Sequence, residues 1–295
     1  MMRLLLLGAA GQLGLSLRIP LAALGEVIPV DRRTCDLTDL AALRTFLDRI
    51  RPDVIVNAAA YTAVDRAETD AGTAFAVNAT APAAMAAWAA SHDALLLHYS
   101  TDYVFDGQSE IPYVETDMPS PLSVYGRSKL DGDLAIGASG CRHLILRTGW
   151  VYSALGDNFL TTILRLGRER AVLRVVDDQF GAPTHAGLIA DTSADLLRRH
   201  ASSPSSVVSG TYHLSAGGVT SWFGFAQMLL EHAASLQPGV GWAQVRPITS
   251  ADYPQAATRP PRARLDPGKL CRVLGTSLPA WQAAVGSGVA EVLQR

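Results

Sequence analysis

The residues with the clearest chemistry lie between positions 99 and 129. The stretch opens Tyr99-Ser100-Thr101-Asp102-Tyr103-Val104-Phe105 and closes Tyr125-Gly126-Arg127-Ser128-Lys129. The apolar run at residues 94–97 predicts a buried strand ending in the hydroxyl pair Ser100 and Thr101. Ser120-Pro121 and Ser123 stand just before Tyr125 and predict a helix start. On that helix Tyr125 and Lys129 are four apart, so both side chains share one face. A phenol is a poor proton donor or acceptor at neutral pH, and an ammonium beside it favours the phenolate. Thr101 adds a hydroxyl that can hold a carbonyl oxygen in line. Together the three predict an acid–base site, although a Tyr and a Lys at this spacing also arise by chance on ordinary helices.

The elements that must position this set begin at residue 3. Residues 3–7 predict a short apolar strand, followed at once by Gly8-Ala9-Ala10-Gly11-Gln12-Leu13-Gly14 and by helical spacing through Leu17, Leu21 and Leu24. Glycines at a strand-to-helix turn let a pyrophosphate approach the backbone at the positive helix end; a tight turn without ligand gives the same pattern. A second strand at residues 26–30 ends in Asp31, about twenty residues after the glycines, where an acid can bind an adenosine ribose. Arg32 and Arg33 adjoin it and could accept a 2′-phosphate instead, so NADH and NADPH both stay open, with Asp31 favouring NADH. Asp36 either touches the adenine or caps the helix that carries Leu40, Leu43, Phe46, Leu47 and Ile50. After a strand at residues 54–56, the small residues of Asn57-Ala58-Ala59-Ala60-Tyr61-Thr62 allow a cofactor to lie close to the sheet. Asn78, on a helix expected over residues 75–88, is read mainly as a partner for neighbouring backbone.

Strand–helix alternation recurs five times before residue 150, ending with a strand at residues 144–147. This predicts an α/β fold with a doubly wound parallel sheet. Residues 1–150 are assigned to a dinucleotide-binding domain, and residues 151–295 mainly to a smaller, mixed α/β substrate lobe, with a later segment returning to the first domain. That second half carries helix-like segments at residues 159–167, 189–199 and 221–233 and a polar connector at residues 202–206. Its Arg259-Pro260-Pro261-Arg262-Ala263-Arg264 run offers either clamps for a phosphorylated ligand or a solvated loop.

A net charge of −2 without long basic runs argues against nucleic acid or an anionic membrane as main partner. Cys35, Cys141 and Cys271 follow no ligand or disulfide pattern, which suggests a reducing compartment. The apolar start is cut short by Gly8, Gly11 and Gly14, and the Ala-rich segment at residues 71–90 contains Asn78 and Pro82. Neither reads as a signal peptide or membrane span, and the expected location is the cytoplasm.

Gly11-Gln12-Leu13-Gly14, Asn57-Ala58-Ala59-Ala60, the residues from Tyr99 to Phe105, Tyr125-x-x-x-Lys129, Arg147-Thr148-x-Trp150-Val151-Tyr152 and Asp178-Gln179-Phe180-Gly181-Ala182-Pro183-Thr184 together resemble the extended short-chain dehydrogenase/reductase family. The resemblance reaches from the first strand to Leu278-Pro279-x-Trp281, and is nearest to the branch acting on dTDP-4-dehydro-L-rhamnose. It implies hydride transfer from NADH or NADPH to the C4 ketone of that nucleotide sugar, with Thr101, Tyr125 and Lys129 catalytic. It further implies Gly8, Gly11, Gln12, Leu13 and Gly14 at the pyrophosphate, Asp31 at the adenosine ribose, and Asp36 and Leu37 at the adenine. Ala60, Tyr61, Thr62 and Tyr99 would line the nicotinamide side, Lys129 would bind the nicotinamide ribose and lower the Tyr125 pKa, and Asp102 and Trp150 would contact the sugar. Some family members hold magnesium at a homodimer contact through glutamates; the matching positions here are Ser16, Gly187 and Glu291. One carboxylate is too few for such a cation, so no metal is expected, and the chain is read as a monomer or weak homodimer. Alternatives are another nucleotide-sugar reductase or epimerase of the same family, or a non-catalytic nucleotide-binding regulatory subunit; the intact Thr101, Tyr125 and Lys129 set argues against the latter.

Overall fold

Leu4, Leu5, Leu6 and Leu7 are at most 1% exposed in β1 (Met2–Leu7), as a strand covered on both faces requires. The computed structural model describes residues 1–203 and 207–295. After β1 come α1 (Gln12–Ala22), β2 (Gly25–Val30), α2 (Leu40–Ile50), β3 (Val54–Asn57), α3 (Val64–Ala67), α4 (Ala71–Phe75), α5 (Ala81–His92), β4 (Leu95–Thr101), α6 (Val124–Ala138) and β5 (Arg142–Thr148). There follow β6 (Val151–Tyr152), α7 (Phe159–Glu169), β7 (Val172–Val176), β8 (Phe180–Gly181), β9 (Thr184–His185), α8 (Ala186–Ser202), β10 (Gly210–His213), β11 (Thr220–Ser221), α9 (Trp222–Leu236), β12 (Gln244–Ile248), α10 (Gly268–Leu274) and α11 (Val285–Gln294).

Six strands form one sheet in the order β10-β5-β4-β3-β1-β2, every pair parallel. Alternation along each strand feeds two cores. Leu4, Leu6, Leu17, Leu21, Ile189 and Leu196 pack on one face, and Leu5, Leu7, Leu43, Leu47, Met85 and Ile136 on the other. This is the doubly wound α/β architecture expected from the alternation of strands and helices. From β1 the chain steps outward to β2 and then back across to β3, so a crevice opens beyond the carboxyl ends of β1 and β3. A third core gathers Tyr152, Leu160, Phe225, Leu229, Trp281 and Val285, all from later in the chain. β10 also comes late but extends the main sheet beside β5.

β4 ends in the expected hydroxyl pair, because Tyr99, Ser100 and Thr101 pair with Leu146, Arg147 and Thr148 of β5. One local reading changes. The helix expected over residues 75–88 is interrupted by a π-helical turn (Ala76–Thr80) between α4 and α5, and Asn78 sits in it. Of the expected polar connector, Ser202 ends α8, and residues 204–206 lie outside the described residues. Among the described residues no helix is long and apolar enough to cross a membrane. The three cysteines are free.

Candidate active site

Two local signals bring Tyr125 to Thr101. Ser123 caps α6, its Oγ accepting from the Gly126 N–H at 3.1 Å. A Cβ on Gly126 would stand 2.3 Å from the Tyr103 carbonyl oxygen, so only glycine lets α6 lie this close to the turn after β4. The Tyr125 hydroxyl is hydrogen-bonded with Thr101, and the Tyr103 and Tyr125 rings meet edge to face at 5.6 Å. Burial pushes the Tyr125 phenol up to about 12; the Thr101 bond works against this, and the carboxyls of Asp102 and Asp133 add to it. Thr101 Oγ1 also donates to Asp102 Oδ1 at 3.0 Å and accepts from the Tyr103 N–H at 3.1 Å.

Asp102 is 2% exposed, and a Cβ on Gly149 would fall 2.2 Å from its Oδ2. Burial raises its carboxyl to about 7 against the pull of its hydrogen bonds. The carboxyl thus lies beneath the Gly149 backbone, next to the site's hydroxyls. Lys129 is buried on α6, and its Nζ donates to the Tyr99 carbonyl at 2.6 Å and lies 3.1 Å from His98 Nε2. The Tyr99 phenol turns to the opposite face of the sheet, where its hydroxyl donates to Ser193 Oγ at 2.7 Å.

A cavity of about 420 Å³ occupies the crevice and gathers Gly8, Gly11, Asp31, Asp36, Leu37, Ala60 and Tyr61. Gly8 has φ +75°, and a Cβ there would meet the Ala59 nitrogen at 2.6 Å; at Gly14 it would meet the Gly8 carbonyl at 2.1 Å. α1 starts at Gly11 without a side-chain cap, leaving its first N–H groups for an anion. Asp31 spends Oδ1 on the N–H groups of Arg33 and Thr34 and the Thr34 hydroxyl, bonds that hold its carboxyl below the usual range; Oδ2 stays available for a ribose hydroxyl. Asp39 caps α2, accepting from the Ala42 N–H at 2.9 Å, which removes the capping role from Asp36. Asp36 instead accepts from Thr38 and from Arg32 at the cavity rim. These residues fit a dinucleotide. Gln12, Leu13, Thr62 and Tyr99 do not line the cavity; Gln12 Nε2 donates to the Val151 carbonyl, and Leu13 packs on the core. Asn78 braces the crevice from the π turn, bonding both backbone groups of Tyr61 and the Ser128 hydroxyl.

A second cavity, about 430 Å³, is lined by Tyr103, whose ring meets that of Tyr125, and by Phe159, Arg170, Arg174, Gln179, Trp222, Tyr253 and Arg259 among others. Asp65 on α3 holds the Arg259 guanidinium through two bonds of 2.9 and 2.7 Å. Trp150 has φ +50° and stacks on Trp222 with centroids 3.5 Å apart, its ring lying where a Gly181 side chain would be. Arg262 and Arg264 line a separate depression with Glu110. The sequence does not single out Arg170, Arg174, Phe159 and Trp222; the Arg168-Glu169-Arg170 cluster at the end of an amphipathic helix is the visible signal. Of the three family magnesium positions, Ser16 donates to the Gln12 carbonyl, the Gly187 N–H donates to His185 Nδ1, and Glu291 pairs with Arg295.

The family description "RmlD substrate binding domain" matches residues 2–294. The dTDP-4-dehydrorhamnose reductase of Burkholderia thailandensis is 43% identical over 301 residues, covering 100% of both chains. The chain belongs to this family. Solved structures of the same reductase are similar in fold. That of Clostridium acetobutylicum has a TM-score of 0.90 at 32% identity over 100% of both chains. That of Bacillus anthracis, in complex with NADP, has a TM-score of 0.88 at 31% identity, covering 99% of this chain and 100% of its own.

Proposed function

We propose that the protein reduces the C4 ketone of dTDP-4-dehydro-L-rhamnose to the alcohol of dTDP-L-rhamnose, the last step of dTDP-rhamnose synthesis, using NADPH or NADH. The observation that carries this reading is the Thr101–Tyr125 hydroxyl pair, beside Tyr103 of an arginine- and aromatic-lined cavity, in a chain whose sheet also forms a dinucleotide-shaped crevice. The cofactor supplies the hydride. Thr101 and Tyr125 converge on one oxygen, so they orient the ketone and stabilise charge as it develops there. Tyr125 then gives its proton to the alkoxide. Lys129 contributes charge and binds the cofactor ribose. Gly8, Gly11 and Gly14 cradle the pyrophosphate, Asp31 takes the adenosine ribose, and Asp36 and Leu37 border the adenine. Arg170, Arg174 and Arg259 are suited to the diphosphate of the substrate, and Trp150 with Trp222 forms an aromatic wall. Residues 1–150 then serve chiefly the dinucleotide and residues 151–295 the sugar nucleotide, in a cytoplasmic monomer or weak homodimer.

The test is oxidation of NADPH and of NADH by the purified protein with dTDP-4-dehydro-L-rhamnose, the product identified by mass. Substrate-dependent oxidation giving dTDP-rhamnose is the expected result. Cofactor binding without oxidation would contradict the assignment.

A further inference from the structure

Asn57 and His98 occupy paired positions on β3 and β4, and both are 0% exposed. Asn57 Oδ1 accepts the Ala59 N–H at 3.2 Å, so the amide nitrogen is the end that faces His98 Nδ1 at 3.0 Å. Nδ1 is therefore an acceptor, and the proton of the neutral ring sits on Nε2. That N–H points at Lys129 Nζ, 3.1 Å away, while Nζ also donates to the Tyr99 carbonyl. An ammonium in this place meets a second donor. A free amine offers its lone pair to the imidazole N–H and keeps the bond to Tyr99.

We propose that His98 is a positioning residue that makes the Lys129 ammonium release its proton readily, because Asn57 holds the imidazole in the tautomer that hydrogen-bonds only the free amine. An N–H bond of Lys129 breaks, the electron pair stays on Nζ as acceptor for His98, and the proton goes to the Tyr125 phenolate left after the product oxygen is protonated. This use of the proton rests on the reductase reading; the coupling of His98 to Lys129 does not. Burial pushes Lys129 down to about 8 and holds His98 far below its ordinary value, in the same sense. Asp133, one turn along α6, favours the ammonium, but its Oδ2 is shared with Arg147 Nε at 3.0 Å on β5 and with the Ser100 hydroxyl. The Tyr99 phenol faces away, on Ser193.

The chain has two lysines, Lys129 and Lys269, so lysine labelled with carbon-13 at Cε gives two resonances, and Lys269→Arg assigns them. In the wild-type protein, nitrogen-15 histidine spectra are expected to show His98 protonated on Nε2, its signals identified by their loss in His98→Gln. A ring protonated on Nδ1 overturns the proposal. His98→Gln offers Nζ a carbonyl oxygen, and the Lys129 midpoint is expected to rise by roughly one pH unit, a proton held about tenfold more tightly. An unmoved midpoint overturns the proposal. Neither measurement uses substrate or turnover, so each outcome stands apart from the success or failure of the reductase assay.

Discussion

The Nζ of Lys129, on the helix that carries the Tyr125 phenol four residues before it, lies 2.6 Å from the carbonyl oxygen of Tyr99 on β4. The two residues share a helix face, and the lysine's long chain carries its amino group to the Tyr99 carbonyl on the strand beneath. Lys129 thus ties α6 to β4 in addition to any part in catalysis.

Replacing it with an isosteric apolar side chain exposes that tie. Lys129→Met leaves the buried Tyr99 carbonyl without its donor, at a cost of about 1–3 kcal/mol. The variant is expected to unfold several degrees lower and to bind cofactor more weakly. An unchanged melting temperature would show that the contact holds nothing together.

Gly8 and Gly72 give opposite expectations for the same substitution. Alanine at Gly8 meets φ +75° and a Cβ 2.6 Å from the Ala59 nitrogen, while Gly72 has nothing within 4 Å. Gly8→Ala should cost about 1–3 kcal/mol and at least tenfold in cofactor affinity. Gly72→Ala, on α4, should be neutral or stabilising by about 0.5 kcal/mol. Thermal unfolding and cofactor titration of the pair check this directly; equal behaviour would contradict the close approach at Gly8.

The periodic elements and the Ser123 cap were legible because their signals are local: leucine spacing, a hydroxyl before a helix, glycines after a strand. The partners of the polar end of β4 were not. Tyr99, Ser100 and Thr101 are satisfied by Ser193, Asp133 and Tyr125, which arrive from distant segments. The Trp150–Trp222 stack needs a positive φ at Trp150 and an empty side-chain place at Gly181, and neither carries a mark in sequence. The direction of Lys129 was hidden for the same reason, since tertiary acceptors decide it.

Asp102 reverses the usual pH behaviour of a carboxylate. Its carboxyl titrates near 3.8 when unfolded and near 7 when folded, so the folded state favours the neutral acid. The associated stability is fully present below about pH 4 and is lost as pH rises through about 7. Asp102→Asn keeps an acceptor for Thr101 and removes that loss. The variant should melt above wild type at about pH 8, with the gap closing towards about pH 4. A gap independent of pH would contradict a neutral buried Asp102.

Arg174 tests the second cavity without disturbing the hydroxyl pair. It is exposed on β7 and lines that cavity. Loss of one charge-assisted contact to a diphosphate predicts about a tenfold rise in KM for the nucleotide sugar in Arg174→Ala, with kcat nearly unchanged. An unaltered KM would move the diphosphate elsewhere.

The central claim is that Tyr125 delivers the proton, and turnover by Tyr125→Phe tests it most directly, with NADPH affinity measured alongside. The phenol acts in the transition state, so kcat should fall on the order of 100- to 10,000-fold while cofactor affinity changes little. Turnover close to wild type would contradict the account.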